Sequence, residues 1–146
     1  MPGEITKEDS PMIVPKHYEN MRVLHENTMP LRSYYIPASQ MMVHPLEART
    51  QSDRMQLLNG EWKFRYYESI YDLKDRFYAA DYDASDFDTM PVPGVWQMHG
   101  YDHIQYLNIR YPFPVMLPHL PYENPCWHYR RTFNVKKQKG ERYYIN

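Results

Sequence analysis

Four groups of residues in this chain are of types that could do chemistry together. His99 and His103 are four apart with Asp102 between them. On a helix that spacing supplies part of a zinc site. Gly100 argues against a helix and no third ligand is apparent, so the group reads as a packed loop. Cys126 and His128 are two apart in an extended stretch and share a face. Two ligands do not complete a metal site, and a nucleophilic cysteine needs a placed base and an orienting group. Cys126 reads instead as a small buried hydrophobe. Asp81, Asp83, Asp86 and Asp88 imitate the spacing of a calcium loop but lack its central glycine and terminal glutamate, so this is a solvated acidic loop. Glu61 and Glu123 remain. Glycoside hydrolysis needs two carboxyl groups facing each other across a sugar, one with a raised pKa. Glu61 falls on the polar face of a strand and Glu123 in a proline-rich loop. No Gly-x-Ser-x-Gly elbow or phosphate-binding glycine loop is present. No catalytic residue and no metal ligand set is assigned within this chain.

Composition narrows the class. The 146 residues suffice for one modest domain. Lys and Arg total 17 and Asp and Glu 18, a net charge of −1, so there is no basic excess for a phosphate backbone and no nucleic-acid partner is expected. The single cysteine, Cys126, can form no disulfide within the chain. No signal peptide and no transmembrane run is visible, which predicts a soluble, cytoplasmic protein without a membrane partner. The 15 tyrosines suit half-buried strands, interfaces and sugar-binding surfaces.

The elements that must position these residues are strands. Residues 1–56 carry Pro2, Pro11, Pro15, Pro30, Pro37 and Pro45 and no sustained apolar period, so they predict an extended N-terminal arm. Such an arm is either disordered or laid across another domain or subunit, with Tyr34, Tyr35, Ile36, Met41 and Met42 as anchors. From Glu61 to Tyr66 the alternation is strict: Trp62, Phe64 and Tyr66 face one way, Glu61, Lys63 and Arg65 the other. Asn59-Gly60 is a turn before it. Ser69 caps a short helix with an Ile70, Leu73, Phe77 stripe and an Asp72–Arg76 pair. Phe87–Val92 reads as a strand closed by Pro93-Gly94. Pro112, Pro114, Pro118, Pro121 and Pro125 force an irregular crossing. Cys126–Val135 is a second clear strand, Lys136–Gly140 a turn, and Arg142–Ile145 the start of another strand. The expected fold is mainly β: an incomplete jelly-roll β-sandwich over residues 57–146, preceded by the arm. A jelly roll has about eight strands, and four or five are legible, the last cut at its first turn.

Several motifs, in order, resemble the sugar-binding domain of glycoside hydrolase family two. Leu58-Asn59-Gly60-Glu61-Trp62-Lys63-Phe64 is similar to its opening strand. Val92-Pro93-Gly94-Val95-Trp96-Gln97-Met98-His99-Gly100-Tyr101-Asp102 is similar to its Pro-x-x-Trp-Gln-x-x-Gly segment. Tyr106-Leu107-Asn108-Ile109-Arg110-Tyr111-Pro112 resembles the Tyr-x-Asn-x-x-Tyr-Pro segment that follows. Glu123-Asn124-Pro125 and Arg131-Thr132-Phe133-Asn134-Val135 continue in the same order. His17-Tyr18-Glu19-Asn20 and Glu47-Ala48-Arg49-Thr50 are similar to the arm of the long bacterial β-galactosidases.

The resemblance implies a galactose-binding-domain-like fold. It implies a retaining hydrolase of terminal non-reducing β-D-galactose, with lactose-type substrates. Both catalytic glutamates would lie in a later barrel, with magnesium and sodium beside them. The isolated chain would then be inactive, and its partners would be the β-galactoside, the rest of the enzyme chain and further subunits of a homo-oligomer. Within this chain the resemblance assigns one substrate-binding residue, Asn108, whose amide can both donate to and accept from sugar hydroxyls. The competing reading of Asn108 is a turn residue satisfied by its own backbone. The family's sodium-binding Asp would fall beyond residue 146, so no metal ligand is carried over. A different class stands as the alternative: a stand-alone carbohydrate-binding or subunit-complementing module without catalysis.

Overall fold

The computed structural model describes residues 13–73, 75–106, 108–109, 111 and 116–146. The expectations on Pro2, Pro11, Pro112 and Pro114, and on Leu107 and Arg110 of the asparagine motif, lie outside these.

Three strands form one antiparallel sheet: β1 (Gly60–Tyr67), β2 (Asp88–Val92) and β3 (Cys126–Arg130), in the order β2-β1-β3. β1 is central because it is the longest and alternates most strictly. In register, Phe64 lies opposite Asp88 on one side and Tyr129 on the other, and Tyr66 lies opposite Trp127. One face therefore carries Trp62, Phe64, Tyr66, Met90, Trp127 and Tyr129. The other carries Lys63, Arg65, Tyr67, Cys126, His128 and Arg130.

The chain is mainly β, with helical structure among the described residues confined to short 3-10 turns. The core is small and centred on β1. Phe64 is 0% exposed and Met90 1%, and Phe87 is also buried. Trp62, which leads the apolar face in sequence, is only half-buried. Its indole Nε1 donates to the Leu58 carbonyl at 2.7 Å, and its ring meets Tyr129 edge-on. An indole keeps its N–H near a polar rim, so the phenylalanine beside it fills the centre.

Three sequence expectations need correction. The helix after β1 is a single 3-10 turn, Ile70–Asp72. The predicted cap is present, with Ser69 accepting from the Tyr71 N–H and Asp72 accepting from the Ser69 N–H. The chain then leaves the helix at Leu73, which is extended, so Asp72 and Arg76 do not share a helical face. β3 ends at Arg130, not Val135, and Phe133 and Val135 stand 38% and 41% exposed. Arg131 turns aside there, its guanidinium donating to the carbonyls of Leu58 at 2.8 Å and Asn59 at 2.6 Å. Residues 142–145 pair with no strand among the described residues.

The arm is largely irregular, with 3-10 turns at His17–Glu19 and Arg49–Gln51. Polar side chains tie it to the rest of the chain at a few points. Glu19 accepts from the Leu120 N–H at 3.3 Å, and the Lys16 ammonium lies 5.5 Å from the Tyr71 ring centroid. Ser52 bonds the Pro37 carbonyl, and Arg54 pairs with Glu141. Of the proposed anchors, Tyr34, Tyr35 and Met41 are exposed and Ile36 and Met42 half-buried.

Because Phe64 is fully buried where β1 pairs with both of its neighbours, its loss leaves a cavity that the short sheet cannot close. Phe64→Ala should destabilise the domain by about 3–5 kcal/mol. Trp62→Ala should cost less. Denaturant titration of the two variants checks the order, and a larger loss for Trp62→Ala would place the centre of the core one pair along the strand.

Candidate sugar-binding site

The segment after β2 crosses the Phe64 face of the sheet. Gly94 begins the turn, where a Cβ would collide with the Pro91 carbonyl oxygen. A 3-10 turn, Trp96–His99, follows and ends at Gly100 in the left-handed region at φ +87°. The Tyr101 N–H returns to the Trp96 carbonyl at 3.2 Å. Trp96 lies over Trp127 of β3 with ring centroids 3.9 Å apart and planes at 31°. Tyr101 packs on Phe64 at 4.7 Å and on Tyr66 at 6.0 Å. Aromatic residues thus weld the segment to the sheet.

The Tyr101 hydroxyl donates to Asp88 Oδ2 at 2.6 Å, joining the segment to the edge strand β2. That bond pushes the phenol's pKa up to about 12, because ionising it would set two anions side by side. Asp102 follows at φ +58°, its carboxylate 2.9 Å from His103 Nδ1. His99 and His103 do not converge as a metal pair. His99 ends the 3-10 turn and His103 projects, 77% exposed, with Asp102 as its partner.

Asn108 lies further along the same segment. Its Nδ2 donates to the Tyr106 phenolic oxygen at 3.0 Å, and both residues are exposed. That bond uses one of the two amide hydrogens and leaves the other, with the Oδ1 lone pairs, for a ligand. Trp96 Nε1 and Gln97 Oε1 are buried without a hydrogen-bond partner among the described residues.

The opposite face is a closed support. His128 is ringed by Phe77 at 5.3 Å, Phe87 at 5.1 Å and Tyr82 at 6.3 Å. Its Nδ1 is buried with no hydrogen-bond partner among the described residues. Desolvation, and then the Arg130 guanidinium, hold its pKa below the ordinary histidine value. Burial pushes the Cys126 thiol up to about 11. Cys126 is therefore a thiol at neutral pH, the wrong state for a nucleophile. Arg130 spans the carbonyls of Phe77, Ala79 and Ala80, at 3.3, 3.1 and 2.6 Å, and so holds the loop that builds this ring. In the acidic loop, Asp83 accepts from the Ser85 N–H at 2.9 Å and Asp86 pairs with Arg65 at 2.7 Å. Glu61 and Glu123 are both exposed. Among the described residues no three His, Cys, Asp or Glu side chains are placed to hold a metal ion.

Sequence reasoning passed over Tyr101, Asp88 and the Trp96–Trp127 stack. Their signal was available only as order, in the Trp96–Asp102 string. The pairings themselves are made by the register of β1 with its two neighbours.

A small antiparallel sheet with an aromatic-backed crossing on one face is a β domain of sandwich type. The chain belongs to glycoside hydrolase family 2, whose sugar binding domain model matches residues 55–145. It is 41% identical to a β-galactosidase of Actinobacillus pleuropneumoniae over 92% of this chain and 13% of that protein. It is 40% identical to one from Staphylococcus xylosus over 85% of this chain and 12% of that protein. A third, from Vibrio vulnificus strain YJ016, is 45% identical over 57% of this chain and 8% of that protein. The chain thus spans about an eighth of the length of the first two relatives.

The state of His128 is testable through pH. Its folded pKa is depressed, so the unfolded chain binds the proton more readily. The stabilisation from its neutral form is complete above the ordinary value of 6.5 and is lost as pH falls through the lower, folded value. The urea midpoint should drop between pH 7.5 and 5.5, and the drop should shrink in His128→Gln, which cannot charge. An equal drop in both proteins would place the sensitivity on another group.

Proposed function

We propose that this chain is the N-terminal part of a β-galactosidase, and that it helps to recognise the terminal galactose while the chemistry is done elsewhere in the enzyme. The identity to β-galactosidases over nearly all of the chain carries this reading. The fold then divides the work. Residues 1–56 form the arm, suited to lie across another part of the enzyme or a second subunit of a homo-oligomer. Residues 57–146 contribute strands to a jelly-roll, galactose-binding-domain-like sandwich. The protein works in the cytoplasm on lactose-type β-galactosides.

Asn108 is the residue of this chain that meets the sugar. Its amide is neutral, exposed and half satisfied by Tyr106, as a group that exchanges hydrogen bonds with hydroxyls should be. A retaining mechanism requires two carboxyl groups about 5–5.5 Å apart. Glu61 lies in β1 and Glu123 in the loop before β3, both open to solvent, and neither is given that role. Magnesium and sodium would serve the complete enzyme. They would sit beside the catalytic glutamates elsewhere in the enzyme, and no residue of this chain is assigned to either ion.

Two measurements test this. The purified 146-residue chain should not hydrolyse o-nitrophenyl-β-galactoside above a buffer blank. In the complete enzyme, Asn108→Ala should keep the melting temperature and raise KM about two- to twelvefold, the loss of one neutral hydrogen bond. A fall in kcat as well would mean that the contact tightens as the ring flattens toward the transition state. Wild-type kcat/KM at unchanged stability would remove Asn108 from the site.

A further inference from the structure

We infer that Tyr101 is a positioning residue for galactose recognition, acting through its hydrogen bond to Asp88. The inference rests on the assignment of Asn108 to the sugar.

Among the described residues between the end of β2 and Asn108, no regular element is longer than the 3-10 turn at Trp96–His99. An irregular segment keeps its place only through specific side-chain contacts. Three aromatic contacts hold it by packing, Trp96 on Trp127 and Tyr101 on both Phe64 and Tyr66. Packed rings fix the distance to the sheet but tolerate sliding along it, since dispersion has little directional preference. The Tyr101 hydroxyl removes that freedom. It is aimed at one oxygen of Asp88 at 2.6 Å, a short hydrogen bond to a charged acceptor. Asp88 begins β2 and lies opposite Phe64 in the register, so the acceptor is itself fixed by the sheet.

Gly100 at φ +87° and Asp102 at φ +58° flank Tyr101, so the chain reverses on both sides of it. Glycine and aspartate both accept the left-handed region, so these reversals need no further support and the position of Tyr101 depends on its side-chain contacts. Asn108 comes seven positions after this anchor. Sliding of Tyr101 along the sheet would carry the start of the asparagine segment with it. Misplacement of a binding group by about 1 Å is enough to cost recognition.

The test is steady-state kinetics of the complete enzyme on o-nitrophenyl-β-galactoside with melting curves alongside. Tyr101→Phe keeps the ring on Phe64 and removes only the hydroxyl. It should lower kcat/KM by at most the about two- to twelvefold loss of Asn108→Ala, mainly through KM, because it can forfeit no more than the contact it positions. Asp88→Ala should match it. Asp88→Asn retains an acceptor oxygen and should lose less than Asp88→Ala. Added to Asn108→Ala, Tyr101→Phe should cause no further loss, because its effect passes through Asn108.

The outcomes separate the two readings. Impaired Asn108→Ala with wild-type Tyr101→Phe overturns the positioning role and leaves the sugar contact standing. Additive losses also overturn it, since Tyr101 would then act by another route. Wild-type kinetics in Asn108→Ala sinks the sugar contact itself, and the positioning role with it. A lower melting temperature for Tyr101→Phe with unchanged KM and kcat would make the bond structural only.

Discussion

Phe64 is the point on which the sheet and its crossing segment are both built. It is fully buried although the chain has few residues to bury it. Two rings cover it, Tyr129 of β3 at 4.9 Å and Tyr101 of the crossing segment at 4.7 Å, and β2 pairs beside it through Asp88. A single aromatic ring thus links one edge strand to the segment that carries Asn108. That link makes the domain's stability and the geometry of its polar crossing one problem rather than two. A change that loosens Phe64 moves Tyr101, and Tyr101 is what ties the crossing to β2.

Irregular backbone has to find hydrogen-bond donors that a ladder would otherwise supply. Here two successive arginines at the end of β3 provide them. Arg130 serves the carbonyls of residues 77, 79 and 80, and Arg131 those of 58 and 59. Five donors in a rigid fork suit this better than the single point charge of a lysine. Arg130 closes the aromatic ring around His128, while Arg131 fastens the entry to β1. Strand β3 stops where it does because its next side chain is committed to a neighbouring turn rather than to a sheet face.

The parts of this fold legible in sequence are those set by local pattern. The alternation in residues 61–66 fixed β1 and its faces, and Ser69 with Asp72 fixed the cap, because both depend on neighbours only a few positions away. The length of β3 was misread for a physical reason. Phe133 and Val135 keep the period of two, but period describes which way side chains point, not whether a partner strand exists. The helix after Ser69 was overread in the same way, since an apolar stripe of three residues cannot pay for nucleation. The polar crossing was legible only as an ordered set of motifs. Nothing in the local pattern of Tyr101 announces Asp88, which lies thirteen residues earlier and is brought to it by the register of β2. His128 and Cys126 were correctly placed on one face, yet their surroundings come from residues 77–87, which sequence leaves as loop.

The two hydrogen bonds on the crossing segment differ in kind, and the difference matters for recognition. The bond from Tyr101 to Asp88 involves a charge and is short, whereas the amide of Asn108, among the described residues, meets the hydroxyl of Tyr106 at 3.0 Å. Charge-assisted bonds are roughly twice as strong as neutral ones. A neutral amide is well matched to sugar hydroxyls, which donate and accept with similar strength, and it discriminates by direction rather than by attraction. Direction is useful only if the group cannot drift. The contact that would read the sugar is therefore the weaker one, and the contact that holds its segment is the stronger. Reversing them would give a segment that yields to the ligand instead of selecting it, and the specificity available from one hydroxyl would be lost to motion of the backbone.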